Sequence, residues 1–147
     1  LANAGLIEGQ YDGITHGANS FSVTAANSPK AKLNNALWFA WYWGTQTSAL
    51  QMFDGVYNNI FELGAAYTDG DPLNPIFKPE ELWNIDTKLD DGKPATGGLV
   101  LRSGPENDLA TCTNATGTTA AKAATLTADY KLTNTSIACA AIFRNLF

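Results

Sequence analysis

Charged side chains are scarce in this sequence. They make up 16% of its 147 residues, where about 25% is ordinary for a soluble domain. The nine Lys and Arg are scattered and the net charge is −5. Binding to nucleic acid or to anionic lipid needs clustered cations, so neither is expected. Histidine is scarcer still. His16 stands alone, so a zinc site would have to find its ligands elsewhere. A Ser-His-Asp triad would have to use this one residue, with no Gly-x-Ser-x-Gly elbow beside it. No phosphate loop or dinucleotide fingerprint occurs. The 147 residues hold neither a signal-peptide pattern nor an apolar run of about 20 residues, the length that spans a bilayer. The abrupt start at Leu1-Ala2-Asn3, without an initiator Met, predicts that an N-terminal segment precedes it.

Cysteine is limited to Cys112 and Cys139. Two cysteines read as one disulfide in a secreted domain and as two buried thiols in a cytosolic one. The Gly-, Thr- and Ala-rich stretch between them favours the tied form.

What the chain does have is apolar mass, 45% of the residues. A domain of this length buries roughly 70% of its extended-chain surface. The polar remainder is mostly Asn, Thr, Ser and Gly, which suits secreted proteins and packed assemblies. Neither an internal repeat nor a second domain is evident, so residues 1–147 read as one domain.

Leu1 to Glu8 reads as the last turns of a helix, broken at Gly9, Asp12 and Gly13. Residues 14–35 lack periodicity and read as a surface loop. The aromatic run Ala36 to Trp43 ends at Gly44 and predicts a strand. Ala49 to Phe53 predicts a second, and Asp54-Gly55 a turn into a third over Val56 to Leu63. Residues 68–75 form a loop. Pro79, Glu80 and Glu81 open a helix over 79–91, with Leu82, Ile85 and Leu89 as its apolar stripe. Gly92 and Pro94 stop it. Leu99 to Arg102 predicts a short strand and residues 103–125 a long loop. Ala128 to Leu132 and Ile137 to Phe143 predict two closing strands.

Three segments resemble the globular region of type IV pilin-like proteins and type II secretion pseudopilins. The start, Leu1-Ala2-Asn3-Ala4-Gly5-Leu6-Ile7-Glu8-Gly9-Gln10-Tyr11, is similar to the end of the long pilin helix. The run Asn84-Ile85-Asp86-Thr87-Lys88-Leu89-Asp90-Asp91-Gly92-Lys93-Pro94-Ala95-Thr96-Gly97 resembles a signature of one prepilin-type subgroup and is the most specific match. The late pair Cys112 and Cys139 resembles the disulfide-closed C-terminal region of many pilins. The likeness covers about a third of the chain and lacks the long apolar N-terminal helix, which it implies was removed. It implies a head of antiparallel sheet and no catalytic site.

Several constellations compete with simple structural roles. Trp38, Trp41 and Trp43 could form an aromatic contact surface. Strand alternation puts Trp41 and Trp43 with Phe39 on one face, and Trp38 with Tyr42 on the other. Asp86, Asp90 and Asp91 gather at a helix C-terminus, where negative charge is unfavourable and a calcium ion would be welcome. Lys88 and Lys93 could neutralise them instead. Asp69-Gly70-Asp71 lacks the repeat of a calcium loop. Glu62, Glu80 and Glu81 offer carboxylates for glycoside hydrolysis, but Glu80 and Glu81 are explained by the helix start. The apolar end, Ala140 to Phe147, reads as a final strand or a subunit contact.

The sequence therefore predicts an α+β pilin-like head. About four antiparallel strands pack on the end of an N-terminal helix, with a short second helix. Its predicted function is non-enzymatic: a structural subunit of a type IV pilus or pseudopilus, with adhesion as a further role. It would be extracytoplasmic, partnered by its own copies or sibling pilins, and membrane-bound only through the preceding helix. No cofactor is required, calcium at Asp86, Asp90 and Asp91 being optional. The alternative is a secreted carbohydrate- or protein-binding module using residues 38–43.

Overall fold

The fold was analysed in a computed structural model, which describes residues 4, 8–47, 52–68, 70–102, 109–115 and 126–145. Among these the chain is α+β. Its elements are β1 (Leu37–Tyr42), β2 (Thr45–Gln46), β3 (Gly55–Val56), β4 (Asn59–Gly64), α1 (Pro79–Leu89), β5 (Leu99–Arg102), α2 (Leu109–Cys112) and β6 (Ala140–Arg144). Four strands make one antiparallel sheet in the order β1-β4-β6-β5, and β2 pairs with β3 in a separate ribbon. No helix among the described residues is long and apolar enough to cross a membrane.

The aromatic strand forms as expected. The Val56–Leu63 strand does not run through. Asn58 takes a left-handed φ of 49°, and the chain kinks there, with Trp43 N–H donating to Asn58 C=O at 2.9 Å. Val56 therefore joins the ribbon, while Asn59–Gly64 joins the main sheet. The expected strand over Ala49 to Phe53 falls partly outside the described residues, and Met52 and Phe53 are not in a strand. The expected helix end over residues 1–8 also lies largely outside them.

Helix α1 begins at Pro79, whose missing N–H costs nothing in the first turn. The Lys78 N–H donates back to Glu81 Oε2 at 2.9 Å. The helix ends at Leu89, two residues short of the expected limit, and Gly92 follows with φ 70°. Its buried side chains are Pro79, Leu82 and Asp86. Leu89, expected in the apolar stripe, is 67% exposed, at the last residue of the helix.

Period-2 alternation gives the sheet two faces. The register puts Trp38, Phe61, Leu63, Leu99, Leu101, Ala141 and Phe143 on one of them. This face packs with Leu82 of α1 and with Leu109 and Cys112 of α2 in the main core. Fully burying a leucine such as Leu82 stabilises by roughly 1.5–3 kcal/mol. Cys112 and Cys139 form a disulfide that ties α2 to the residue preceding β6. The stretch before α1 closes over it, with Ile76 N–H donating to Cys139 C=O at 2.8 Å.

The opposite face carries Phe39, Trp41, Ile60, Glu62, Val100, Arg102 and Ile142. Met52 and Tyr57 cover its middle in a second small core. The expected strand at Ala128 to Leu132 is absent. Among the described residues of this segment only Tyr130 makes an isolated bridge, to Thr113 beside α2 rather than to an edge of the sheet. The expected loop over 103–125 contains the single helical turn α2. The last expected strand forms as β6, starting at Ala140.

Candidate functional site

Alternation along β1 separates its aromatic residues. Trp38 turns into the main core, with ring centroids 5.7 Å from Phe143 and 6.4 Å from Phe61. It is therefore on the sheet face opposite Phe39 and Trp41. Phe39 and Trp41 turn the other way, their centroids 5.1 Å apart. Phe21, from the long loop before β1, meets Trp41 edge-on at 5.8 Å. Trp43, one residue past the strand, packs on Tyr57 at 5.8 Å. Phe21, Phe39, Trp41 and Trp43 line a groove of about 270 Å³, whose remaining wall is Asp71 and Arg102.

Arg102 organises the polar wall. Its guanidinium lies 5.0 Å from the Trp43 ring centre, a cation–π contact. Its Nε donates to Glu62 Oε1 at 2.7 Å, and its Nη2 to Asp71 Oδ2 at 2.8 Å. All three residues are buried. Glu62 lies opposite Phe39 in the β1–β4 register, so the network sits under the aromatic layer. Burial pushes the Glu62 carboxyl up to about 8. The Arg102 charge opposes that rise and the Asp71 charge adds to it. Among the described residues, Glu62 Oε2 has no hydrogen-bond partner.

The acidic trio is at the far end of α1. Candidate ligand oxygens of Asp86, Asp90 and Asp91 lie within 4.8 Å of one another. Protein donors already address them. Tyr130 Oη donates to Asp86 Oδ2 at 2.8 Å and Gly92 N–H to Asp86 Oδ1 at 3.3 Å. Asp90 Oδ2 accepts from the Gly98 and Leu99 amides. Asp91 accepts from Lys93 N–H at 2.8 Å and Thr96 Oγ1 at 2.5 Å. Lys93 Nζ turns to Asp129 instead, at 2.5 Å. The carboxylates thus hold the turn that leads from α1 into β5. Burial raises Asp86 to about 6, against the Tyr130 hydrogen bond.

His16 pairs with Asp12 at 2.6 Å in an exposed loop. Glu80 and Glu81 stay in the first turn of α1, away from Glu62. Asp69 lies outside the described residues, and Asp71 serves the Arg102 network. Sequence reasoning considered Glu62 and Asp71 separately and gave Arg102 no role. The one available signal was a charged residue closing the otherwise apolar strand Leu99-Val100-Leu101-Arg102. Set against family models, curated proteins and solved structures, the chain matches none.

Proposed function

We propose that this chain is the head of a non-enzymatic structural subunit of an extracellular filament, of the type IV pilus or type II secretion pseudopilus kind. The observation that carries the reading is the role of the segment with the most specific pilin resemblance. In residues 84–97, Asp86, Asp90, Asp91 and Thr96 all make bonds in the turn joining helix to sheet, and Asp86 also accepts from the distant Tyr130 hydroxyl. These residues support a scaffold, as a packing subunit requires. The disulfide that fastens α2 to the residue preceding the inner strand β6 also fits an oxidising, extracytoplasmic location. On this reading the partners are copies of the chain or sibling pilins. Membrane attachment would come from a helix encoded before Leu1, and adhesion would be a secondary role of the exposed head.

The test is the coding sequence upstream of Leu1. A basic leader ending in Gly, followed by about 20 apolar residues, is the expected result. A short signal peptide with a small-residue cleavage site would overturn the filament reading and leave a freely secreted domain.

A further inference from the structure

The groove on the sheet face away from α1 combines two features that the filament reading does not use. Its floor and sides are flat aromatic surfaces, and its end wall is a buried charged pair. Trp41 remains 37% exposed, so an aromatic face is open to solvent beside Phe39 and Phe21. Arg102 and Asp71 sit in the same wall, 2.8 Å apart and almost without solvent. We propose that this groove is a binding site for a neutral pyranose ring of a glycan. The apolar C–H face of the ring would rest on Phe39 and Trp41, and its hydroxyls would meet the Arg102–Asp71 wall.

Three arguments select this class of ligand. The pocket has the ordinary make-up of a small-ligand site, mostly aromatic with a few placed polar groups. At about 270 Å³ it suits one ring and is short for an amphipathic helix, which needs anchors over two turns. Arg102 is paired with both Asp71 and Glu62, so its guanidinium is not an open site for an anionic ligand, while the wall carries N–H donors and a carboxylate acceptor. A purely apolar group lodged there would cover the exposed remainder of the Asp71 side chain, which is 11% open, without bonding to it, which is costly. Sugar hydroxyls both donate and accept, so they can bond to it. The site does not depend on the chain assembling into a filament, and it is testable on the isolated protein.

The experiment follows the four tryptophan indole N–H signals by NMR. The probes are cello-, chito-, malto- and galacto-oligosaccharides, titrated to about 10 mM, which saturates a 1 mM site. At least one sugar is expected to shift the Trp41 and Trp43 signals saturably, leaving Trp38 and Trp83 in place. Trp41→Ala should weaken that binding tenfold or more. Tyr42→Ala, which removes an exposed aromatic from the opposite face of the same strand, should leave it unchanged. If no sugar moves Trp41 or Trp43, the proposal fails. It fails equally if Trp41→Ala binds like the wild type, or if only a charged polysaccharide such as heparin produces the shifts. The wild-type shifts decide the matter even if Trp41→Ala does not fold.

Discussion

The Tyr130 hydroxyl donates to Asp86 Oδ2 at 2.8 Å across 44 positions of sequence, and both residues are buried. The bond joins the last turn of α1 to a segment that contributes no strand. Tyr130→Phe would leave a buried carboxyl short of one donor. A loss of about 1–3 kcal/mol is expected, read as a lower urea midpoint with an unchanged slope. A midpoint equal to the wild type would mean that Asp86 does not need this partner.

Two buried carboxyls set the pH response. Glu62 is raised to about 8 and Asp86 to about 6, whereas in the unfolded chain both titrate near 4. Between those values the folded state holds protons that the unfolded state has released. Stability therefore falls as pH rises from about 4, steeply to about 6 and through Glu62 alone to about 8, and then levels. Thermal midpoints across this range check the sign. Glu62→Gln should abolish the upper part of the decline, and a wild-type midpoint that climbs from pH 6 to 8 would contradict it.

The Cys112–Cys139 bond closes a separation of 27 residues. In the chain-entropy account, opening a loop of that size costs about 3–4 kcal/mol. The double variant Cys112→Ala/Cys139→Ala should lose that much in urea denaturation. A loss under 1 kcal/mol would show that the packing of Ile76 and Phe77 holds β6 unaided.

Gly64 ends β4 directly against the loop carrying Asp71. A Cβ there would overlap the Pro72 carbonyl, which is backbone and has no flexible end to swing away. Gly64→Ala should destabilise by about 3 kcal/mol or more. It should also weaken the Arg102–Asp71 contact, visible as a changed Trp43 environment in near-UV circular dichroism. An unaltered spectrum and midpoint would mean that the 70–74 loop yields easily.

Local signals made part of this architecture legible. Pro79, Glu80, Glu81 and Gly92 bracket α1 because caps act within one turn. The alternation of Trp38, Phe39 and Trp41 gave the facing of β1 because the side-chain period of a strand is fixed. Tyr130 misled for the opposite reason. An aromatic among short polar residues looks like a strand, yet whether it pairs depends on a neighbour the sequence does not display. The break at Asn58 was hidden in the same way, by a single left-handed residue inside an apolar run. The aromatic half of the groove was likewise readable, and its polar wall was not. Glu62 and Asp71 lie 40 and 31 positions from Arg102, and only the strand order and the loop after Gly64 bring them together.

That strand order has a consequence for biosynthesis. β6, ending at Arg144, lies between β4 and β5. A chain folding as it emerges on the far side of a membrane can pair β1 with β4 early, but β4 and β5 must wait with facing edges bare until residue 144 is out. Cys139 reaches its partner in the same late interval. An unfinished chain thus exposes two strand edges and a free thiol together, the condition in which mispairing with a second molecule competes best.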